Sequence, residues 1–323
     1  MTFWQKFWIG LGGIALLLSL VSFIPTDFWA VRALDLVREP FAFVLLILGL
    51  AAIFFGAGSR RLLAALFGAS LVIQVWQVWP YWSFAPEEMT LERPGPDATC
   101  FTAYSANVLM DNRDFPAMTA QIRRYDPDIV FLTETDQAWV DALVPALSGY
   151  PTLRTLPKSD TFGKVFASRV PVVDTDIVER QGEDTPTLFA VLQLDTGDAI
   201  EFVGVHPRAP LPGQNTEERD NSILRAAQAA GGGFAGGIAM GDFNDVPWSS
   251  TTSRFREDQG WRDPRIGRGT HPTFPSDYLP LGWPLDQIMV KGDVTVSRFD
   301  ILADNGSDHR AVLGEFCVAA RDD

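Results

Sequence analysis

Along the first third of the chain the apolar residues come in long unbroken runs; beyond it they fall into short stretches separated by polar turns. Three runs stand out, Phe7 to Ile24, Phe41 to Ala57 and Leu62 to about Trp82. Each approaches the roughly 20 residues that cross a hydrocarbon core about 30 Å thick. Trp4, Trp8, Trp29, Trp76, Trp79, Tyr81 and Trp82 stand near their ends, where amphipathic rings suit the headgroup layer. The first run follows Lys6 as a signal peptide would, but it lacks a small-residue cleavage site and two further runs come after it, so it is read as a retained span. A buried hairpin of a soluble protein does not account for charge-free runs of this length, which would expose too much apolar surface. Gln74 and Gln77 are expected to bond between helices. Pro25 to Pro40 mixes Phe28, Trp29, Val31, Leu34, Leu36 and Val37 with charges, which predicts a short helix in the membrane interface. Residues 1–84 therefore read as an all-α transmembrane bundle of three helices, and Ala85 to Pro96, rich in Pro and Glu, as a linker.

In residues 97–323 the pattern is mixed α/β without an internal repeat. Strand-like runs occur at Thr99–Ala106, Asp128–Thr133, Lys164–Ala167, Leu188–Leu194, Ile200–Val205, Ile238–Met240, Leu285–Val290, Val294–Phe299 and Ala311–Val318. Phe115–Tyr125 and Asn215–Ala230 read as helices, the second closed by Gly231 to Gly233. Many strands with few helices predict two packed sheets flanked by helices.

Charge narrows the choice of partner. Residues 1–96 hold six basic and six acidic residues, so the net charge of −14 falls entirely on the second domain. Binding to a long nucleic-acid backbone depends on Lys and Arg neutralising phosphates, and this domain argues against it. The two cysteines, Cys100 and Cys317, have no metal-site spacing.

The chemistry lies in what ends the strands. Asn107 follows TAYSA, Glu134 follows DIVFLT, His206 follows FVGV, Asp242 and Asn244 follow IAMG, Asp286 stands in PLDQIMV, and Asp308 with His309 precede the last run. Residues at strand ends are rigidly held and can converge on one mouth of a sandwich. Carboxylates brought together repel, and a hard divalent cation, Mg²⁺ or Mn²⁺, suits such oxygen donors.

At Gly241-Asp242-Phe243-Asn244, Ser307-Asp308-His309 and Asp128-Ile129-Val130-Phe131-Leu132 leading into Glu134, the sequence resembles the endonuclease/exonuclease/phosphatase (DNase I-like) superfamily over Thr99 to Val318. The resemblance implies a two-sheet α/β sandwich and a metal-dependent phosphoester hydrolase. It makes Glu134 the principal metal carboxylate, with Asn107 beside it contacting metal or phosphate and Asp308 as a further metal ligand or base. Asp242 would orient or deprotonate the attacking water, and Asn244 would hold the water and the scissile phosphate. His309 would meet the phosphoryl oxygens with Asp286 fixing its tautomer, and His206 would bind phosphate and assist the leaving oxygen. Gln287 departs from the His or Tyr that many relatives carry after the aspartate.

Among the remaining polar residues, His271 is expected in a loop, Lys164 and Arg169 on the surface, Arg219 in a structural ion pair, and Trp248 under the site loop. The leading expectation is a hydrolase of a small or lipid-linked phosphoester at a lipid bilayer. A nuclease for DNA or RNA and a catalytically inactive membrane-anchored binding module are the alternatives. Three spans place the N-terminus and the second domain on opposite sides, and Lys6, Arg60 and Arg61 on the N-terminal side suggest that the hydrolase faces outward. In the superfamily fold the first and last strands are antiparallel neighbours, which would bring Cys100 opposite Cys317. They are then either a cross-strand disulfide, which needs an oxidising compartment, or two buried thiols.

Overall fold

The structure, a computed structural model, describes residues 1–55, 58–178, 185–209, 211–229 and 233–319. Two compact units divide it, one of Met1–Pro86 with Pro210–Glu217, the other of Glu87–Ala209 with Glu218–Asp323.

The first unit contains α1 (Phe3–Val21), α2 (Trp29–Leu36), α3 (Arg38–Phe55) and α4 (Arg60–Val78). α1 opens with a reciprocal cap in which the Thr2 hydroxyl accepts from Gln5 N and the Gln5 side chain accepts from Thr2 N. α1, α3 and the stretch Arg60–Tyr81 are each long and apolar enough to cross a membrane. Their inner faces meet at Ala15, Leu45, Ala52, Leu63 and Phe67, while Phe43, Ile47, Phe54, Val72 and Trp76 face outward. The expected connecting helix is present as α2, but α3 starts earlier than the apolar run, at Arg38, with Pro40 in its first turn, where proline costs no helix hydrogen bond. The end of the second run, Gly56 and Ala57, lies outside the described residues. Asp35 binds Arg32 at 2.7 Å and Arg38 at 2.6 Å. Arg38 also donates to Ser22 Oγ and Gln74 Oε1, and Gln74 Nε2 donates to Ser19 Oγ at 2.9 Å. Gln74 thus bonds between helices as expected.

The second unit runs β1 (Thr99–Asn107), α5 (Phe115–Tyr125), β2 (Ile129–Thr133), α6 (Gln137–Leu143), β3 (Thr152–Leu156), β4 (Lys164–Ser168), β5 (Val172–Val178), β6 (Thr187–Gln193), β7 (Ala199–Val205), α7 (Glu217–Ala229), β8 (Gly236–Asp242), α8 (Ser250–Asp258), β9 (Asp286–Gly292), β10 (Val294–Ile301) and β11 (Val312–Val318). One sheet has the order β10-β11-β1-β2-β4-β3 and the other β5-β6-β7-β8-β9. Phe101, Phe131, Phe166, Phe202, Met240 and Phe316 fill the space between them. The opposite faces of the central strands are covered too: Tyr104, Val130 and Trp139 pack with Met118 and Ile122 of α5, and Val203 and Ala239 pack with Ile223 of α7 and Phe255 of α8. Burial on both faces is why these strands read as continuous apolar runs rather than alternating ones.

β3 and β5 were not legible in the sequence. Both are edge strands with half-exposed patterns, Thr-Leu-Arg-Thr-Leu and Val-Val-Asp-Thr-Asp-Ile-Val. The short helices α6 and α8 were also missed, although Asp136 and Ser249 cap them by accepting from Trp139 N and Thr252 N. The glycines expected to end α7, Gly231 and Gly232, lie outside the described residues. The second unit begins at Glu87, inside the expected linker, and Glu88 accepts from Arg256 Nη1 and from Asp263 N.

β1 pairs antiparallel with β11 in a register that sets Cys100 against Cys317, and a disulfide joins them. The bond links residues 217 apart in sequence. Closing so long a loop in the unfolded chain predicts that Cys100→Ser with Cys317→Ser lowers stability by about 2–5 kcal/mol. Denaturant unfolding of the full-length protein with and without reductant checks this; equal midpoints would count against it.

Candidate active site

The topology delivers every sequence-predicted site residue to one end of the sandwich. Asn107 ends β1, Glu134 follows β2, His206 follows β7, Asp242 ends β8, Asp286 opens β9, and Asp308 and His309 precede β11. β7 and β8 run parallel, and β8 pairs with β9 so that Asp242 stands against Asp286. Gly241, at φ +140°, is required here, since a Cβ would come within 2.0 Å of Val205 O. Glu134 and Asn244 hold left-handed backbone at φ 61° and 48°, a conformation costing on the order of 1–3 kcal/mol each and concentrated at functional sites.

Hydrogen bonds tie the group together. Asn107 Nδ2 donates to Glu134 Oε1 at 2.8 Å and to Asp242 Oδ2 at 3.1 Å, and Met110 N donates to Glu134 Oε2. Asp242 Oδ1 accepts from Asn244 N at 2.8 Å, and Asn244 Nδ2 donates to Pro207 O at 3.0 Å. His309 Nδ1 lies 2.8 Å from Asp286 Oδ2. Nδ1 then carries the proton donated to Asp286, and Nε2 is turned toward Asp242 Oδ2 at 3.7 Å. His206 Nε2 lies 3.7 Å from Asp242 Oδ2 and 3.8 Å from Glu134 Oε1. These gaps exceed hydrogen-bond length, so both imidazole edges remain able to donate to a third oxygen placed between them.

The electrostatics follow from burial. Burial pushes the Glu134 carboxyl up, against the bonds from Asn107 and Met110, and the Asp308 charge adds to the rise. Burial likewise raises Asp242, with His309 opposing and Asp286 reinforcing. For His309 burial disfavours the charge, but Asp286 and Asp242 outweigh it and raise its pKa. His206 moves the other way, well below the usual imidazole range, through burial and then the charges of Lys164 and His309. The site therefore pairs a cationic histidine with a neutral one.

Among the described residues no three His, Cys, Asp or Glu side chains converge as a preformed metal cage. Mg²⁺ does not need one, because it keeps several waters and takes one or two carboxylates plus substrate oxygens. Glu134 is a partly buried carboxylate whose charge its neighbours do not fully compensate, and the Asp308 charge is close enough to perturb it; Asn107 turns its Nδ2 to Glu134 at 2.8 Å and its Oδ1 to Leu109 N. Carboxylate oxygens of this kind fit a hard divalent cation.

Around the centre the structure supplies what spacing could not. Ser307 Oγ donates to Asn107 O at 2.7 Å and accepts from His309 N, joining the β11 approach to β1. The Phe274 ring packs 4.7 Å from that of His309. Arg219 is buried and pairs with Asp220 and Asp245, and it donates to Asn244 O. That is the structural pairing expected of it. Trp248 is buried. His271 lies in a loop, its ring 4.9 Å from Phe299. Arg169 is a partly exposed partner of Asp126, as expected of a surface charge. Lys164 is a correction: it is fully buried rather than on the surface, because the first residue of β4 faces the inside of the sandwich.

Gln287, the departure from the familiar pattern, has a clear task. Its Nε2 donates to Asp245 O at 2.8 Å, and its Oε1 accepts from Arg265 Nη2 at 2.7 Å, while Arg265 is paired with buried Asp263. Gln287→Leu leaves a carbonyl and a guanidinium short of a partner in a buried place. A loss of about 1–3 kcal/mol is expected, with a smaller fall in turnover as the Asp242 loop loosens. Unfolding curves indistinguishable from wild type would show that the network does not support the loop.

The model of the Endonuclease/Exonuclease/phosphatase family matches residues 104–309, a span holding every one of these residues. Among solved structures, a humanized D. rerio TDP2 is 18% identical, with 67% of this chain and 98% of that chain covered and a TM-score of 0.57. An endonuclease/exonuclease/phosphatase family protein from Bacteroides thetaiotaomicron is 17% identical, covering 70% and 99%, with a TM-score of 0.56. A mannosyl-6-phosphatase from the same organism is 18% identical, covering 67% and 99%, with a TM-score of 0.54. At these identities the likeness shows the fold alone. A comparison with curated proteins found no match.

Proposed function

We propose that this chain, which belongs to the endonuclease/exonuclease/phosphatase family, is a membrane-anchored hydrolase of a small or lipid-linked phosphoester, dependent on Mg²⁺ or Mn²⁺. The observation that carries the reading is the placement of two imidazole Nε2 atoms 3.7 Å from one Asp242 carboxylate oxygen, beside the Glu134–Asn107 pair. A tetrahedral oxyanion group is the ligand for which donors and a base are arranged in this way.

In this reading Glu134 holds the cation, with Asp308 as a further ligand, while Asn107, expected beside them as a ligand, turns its Nδ2 to the site and orients the Glu134 carboxylate instead. Once bound, the cation supplies positive charge against the phosphoryl oxygens. Asp242, fixed by the Asn244 amide and by Asn107, orients the attacking water and takes its proton. Its raised pKa suits a base that must gain a proton during the reaction. His309, kept cationic and aimed by Asp286, donates from Nε2 to a phosphoryl oxygen. Neutral His206 donates from the other side toward the leaving oxygen. Asn244, its amide anchored to Pro207 O, bounds the site on the water's side. Positioning by these rigid strand ends accounts for much of the remaining rate.

Support for the anchor comes from three helices long and apolar enough to span a bilayer. The disulfide supports an extracytoplasmic catalytic unit, since such bonds persist in oxidising compartments. The charge of −14 favours a compact substrate over a long phosphate backbone.

The test is a panel assay on full-length protein in detergent with Mg²⁺ or Mn²⁺, covering phosphomonoesters, phosphodiesters, phospholipids and single-stranded DNA. Turnover of a small or lipid phosphoester, without tight salt-sensitive duplex binding, is expected. No turnover of any substrate would end the hydrolase reading, and preferential cleavage of DNA would replace it with a nuclease.

A further inference from the structure

A line of polar bonds runs through the second unit from the segment before β1 to the loop after β8, and it starts outside residues 104–309, the span that the family model matches. Glu88 Oε2 accepts from Asp263 N at 2.7 Å, and its other oxygen accepts from Arg256 Nη1. The Asp263 carboxylate accepts in turn from Arg265 Nε at 2.9 Å and from Arg265 Nη2 at 2.6 Å. Two bonds to one carboxylate fix the plane of the guanidinium. Arg265 Nη2 also donates to Gln287 Oε1 at 2.7 Å, and Gln287 Nε2 donates to Asp245 O at 2.8 Å. Asp263, Arg265, Gln287 and Asp245 are buried, and Glu88 is partly buried.

The far end of this line touches the chemistry. Asp245 directly follows Asn244, which holds left-handed backbone at φ 48°. A non-glycine residue keeps that conformation only where its surroundings hold it. Asn244 N is also the donor to Asp242 Oδ1 at 2.8 Å. The Gln287–Asp245 bond thus pins the carbonyl next to a strained residue whose own N–H aims the carboxylate assigned to the attacking water. The Gln287 amide does this only one way round. With Oε1 taken by Arg265, Nε2 faces the Asp245 carbonyl, whereas an amide turned over would set oxygen against oxygen.

Resting on the phosphoester-hydrolase reading, we infer that Glu88 is a positioning residue for the reaction: through Asp263, Arg265 and Gln287 it holds the Asn244 turn that aims Asp242. Its bond satisfies the backbone donor of a fully buried residue, and a carboxylate acceptor makes that bond about twice as strong as a neutral one. The chain reaches Glu88 soon after Arg60–Tyr81, the last of the three apolar helices. The segment that joins the catalytic unit to the proposed anchor therefore contributes to the order of the catalytic loop. None of these bonds reaches Glu134, so loss of Glu88 lowers the rate of the chemical step and leaves metal affinity unchanged.

The experiment measures kcat, KM and the Mn²⁺ dissociation constant on the full-length protein in detergent, with the panel phosphoesters as probes, p-nitrophenyl phosphate and bis-p-nitrophenyl phosphate among them. Glu88→Ala is expected to lower kcat about 3-fold or more, with KM and the Mn²⁺ constant unchanged. Glu88→Leu, which keeps part of the aliphatic stem, is the second variant and is expected to do the same. Glu87→Ala frees the same segment from Arg268 but cuts no link of the line, and is expected to keep wild-type kcat. Combined with Gln287→Leu, Glu88→Ala is expected to lower kcat no further than Gln287→Leu alone, because both changes interrupt one line of bonds. Either folded Glu88 variant with wild-type kcat, a loss that multiplies with that of Gln287→Leu, an equal loss in Glu87→Ala, or a change in KM or Mn²⁺ affinity alone overturns the inference. Wild-type protein that turns over no phosphoester overturns the hydrolase reading, and this inference with it.

Discussion

Asp242→Asn is expected to lower turnover by about 10³-fold or more, the combined scale of losing a general base and a positioned carboxylate. The variant keeps the hydrogen bond from Asn244 N to Oδ1 but puts an NH2 where Oδ2 accepts from Asn107 Nδ2, so it loses that bond together with the charge and the ability to take a proton. Because burial already disfavours that charge, relief of that cost offsets the lost bond, and the melting temperature should stay near that of the wild type. A large loss of activity with no loss of stability distinguishes a chemical role from a scaffolding one. His309→Ala should behave similarly in turnover but not in stability. It removes the group that offsets the facing pair Asp242 and Asp286, so its melting temperature should fall. Initial rates and thermal melts on both variants check this. Near-wild-type turnover in Asp242→Asn would mean that another group activates the water.

Removal of metal should have an effect of comparable size. Chelation is expected to bring turnover to background, and added Mg²⁺ or Mn²⁺ to restore it, since a cation's charge stabilisation is worth several kcal/mol and each 1.4 kcal/mol is about tenfold. Glu134→Gln should weaken Mn²⁺ binding by about 100-fold or more; even partners that only orient a metal ligand cost about 10–100-fold when removed. Glutamine preserves the side-chain shape and can still accept from Met110 N, so the left-handed turn at Glu134 should survive. Activity that persists in chelator, or a Glu134→Gln variant with wild-type Mn²⁺ affinity, would remove Glu134 from the role of principal ligand.

These expectations join a site readable from sequence to details that were not. Run length identified the membrane-compatible helices, because the span of a bilayer sets a minimum length that few soluble segments reach. The central strands and the residues ending them were legible because strands buried on both faces form apolar blocks, and a polar residue at the end of such a block stands out. Asn107, Glu134, His206, Asp242, Asp286 and His309 were found in that way, and resemblance supplied their roles. The edge strands β3 and β5 were invisible because half-exposed strands carry weak patterns, and α6 and α8 because single-turn caps are too short a signal.

By itself, then, the sequence determined the class of each segment, the identity of the acids and imidazoles, and the concentration of charge on the second domain, since all of these follow from local pattern and composition. Only the tertiary structure decided which atoms meet. Pairing of β8 with β9 set Asp242 against Asp286, and the β1–β11 register brought Cys100 to Cys317. The same pairing logic buried Lys164 opposite Thr133 and gave Gln287 its place between Asp245 and Arg265. The physical reason is that a strand's side chains alternate with a period of two, so the face a residue takes, and therefore its neighbours and its charge state, is fixed by register with a partner strand that can be many residues away.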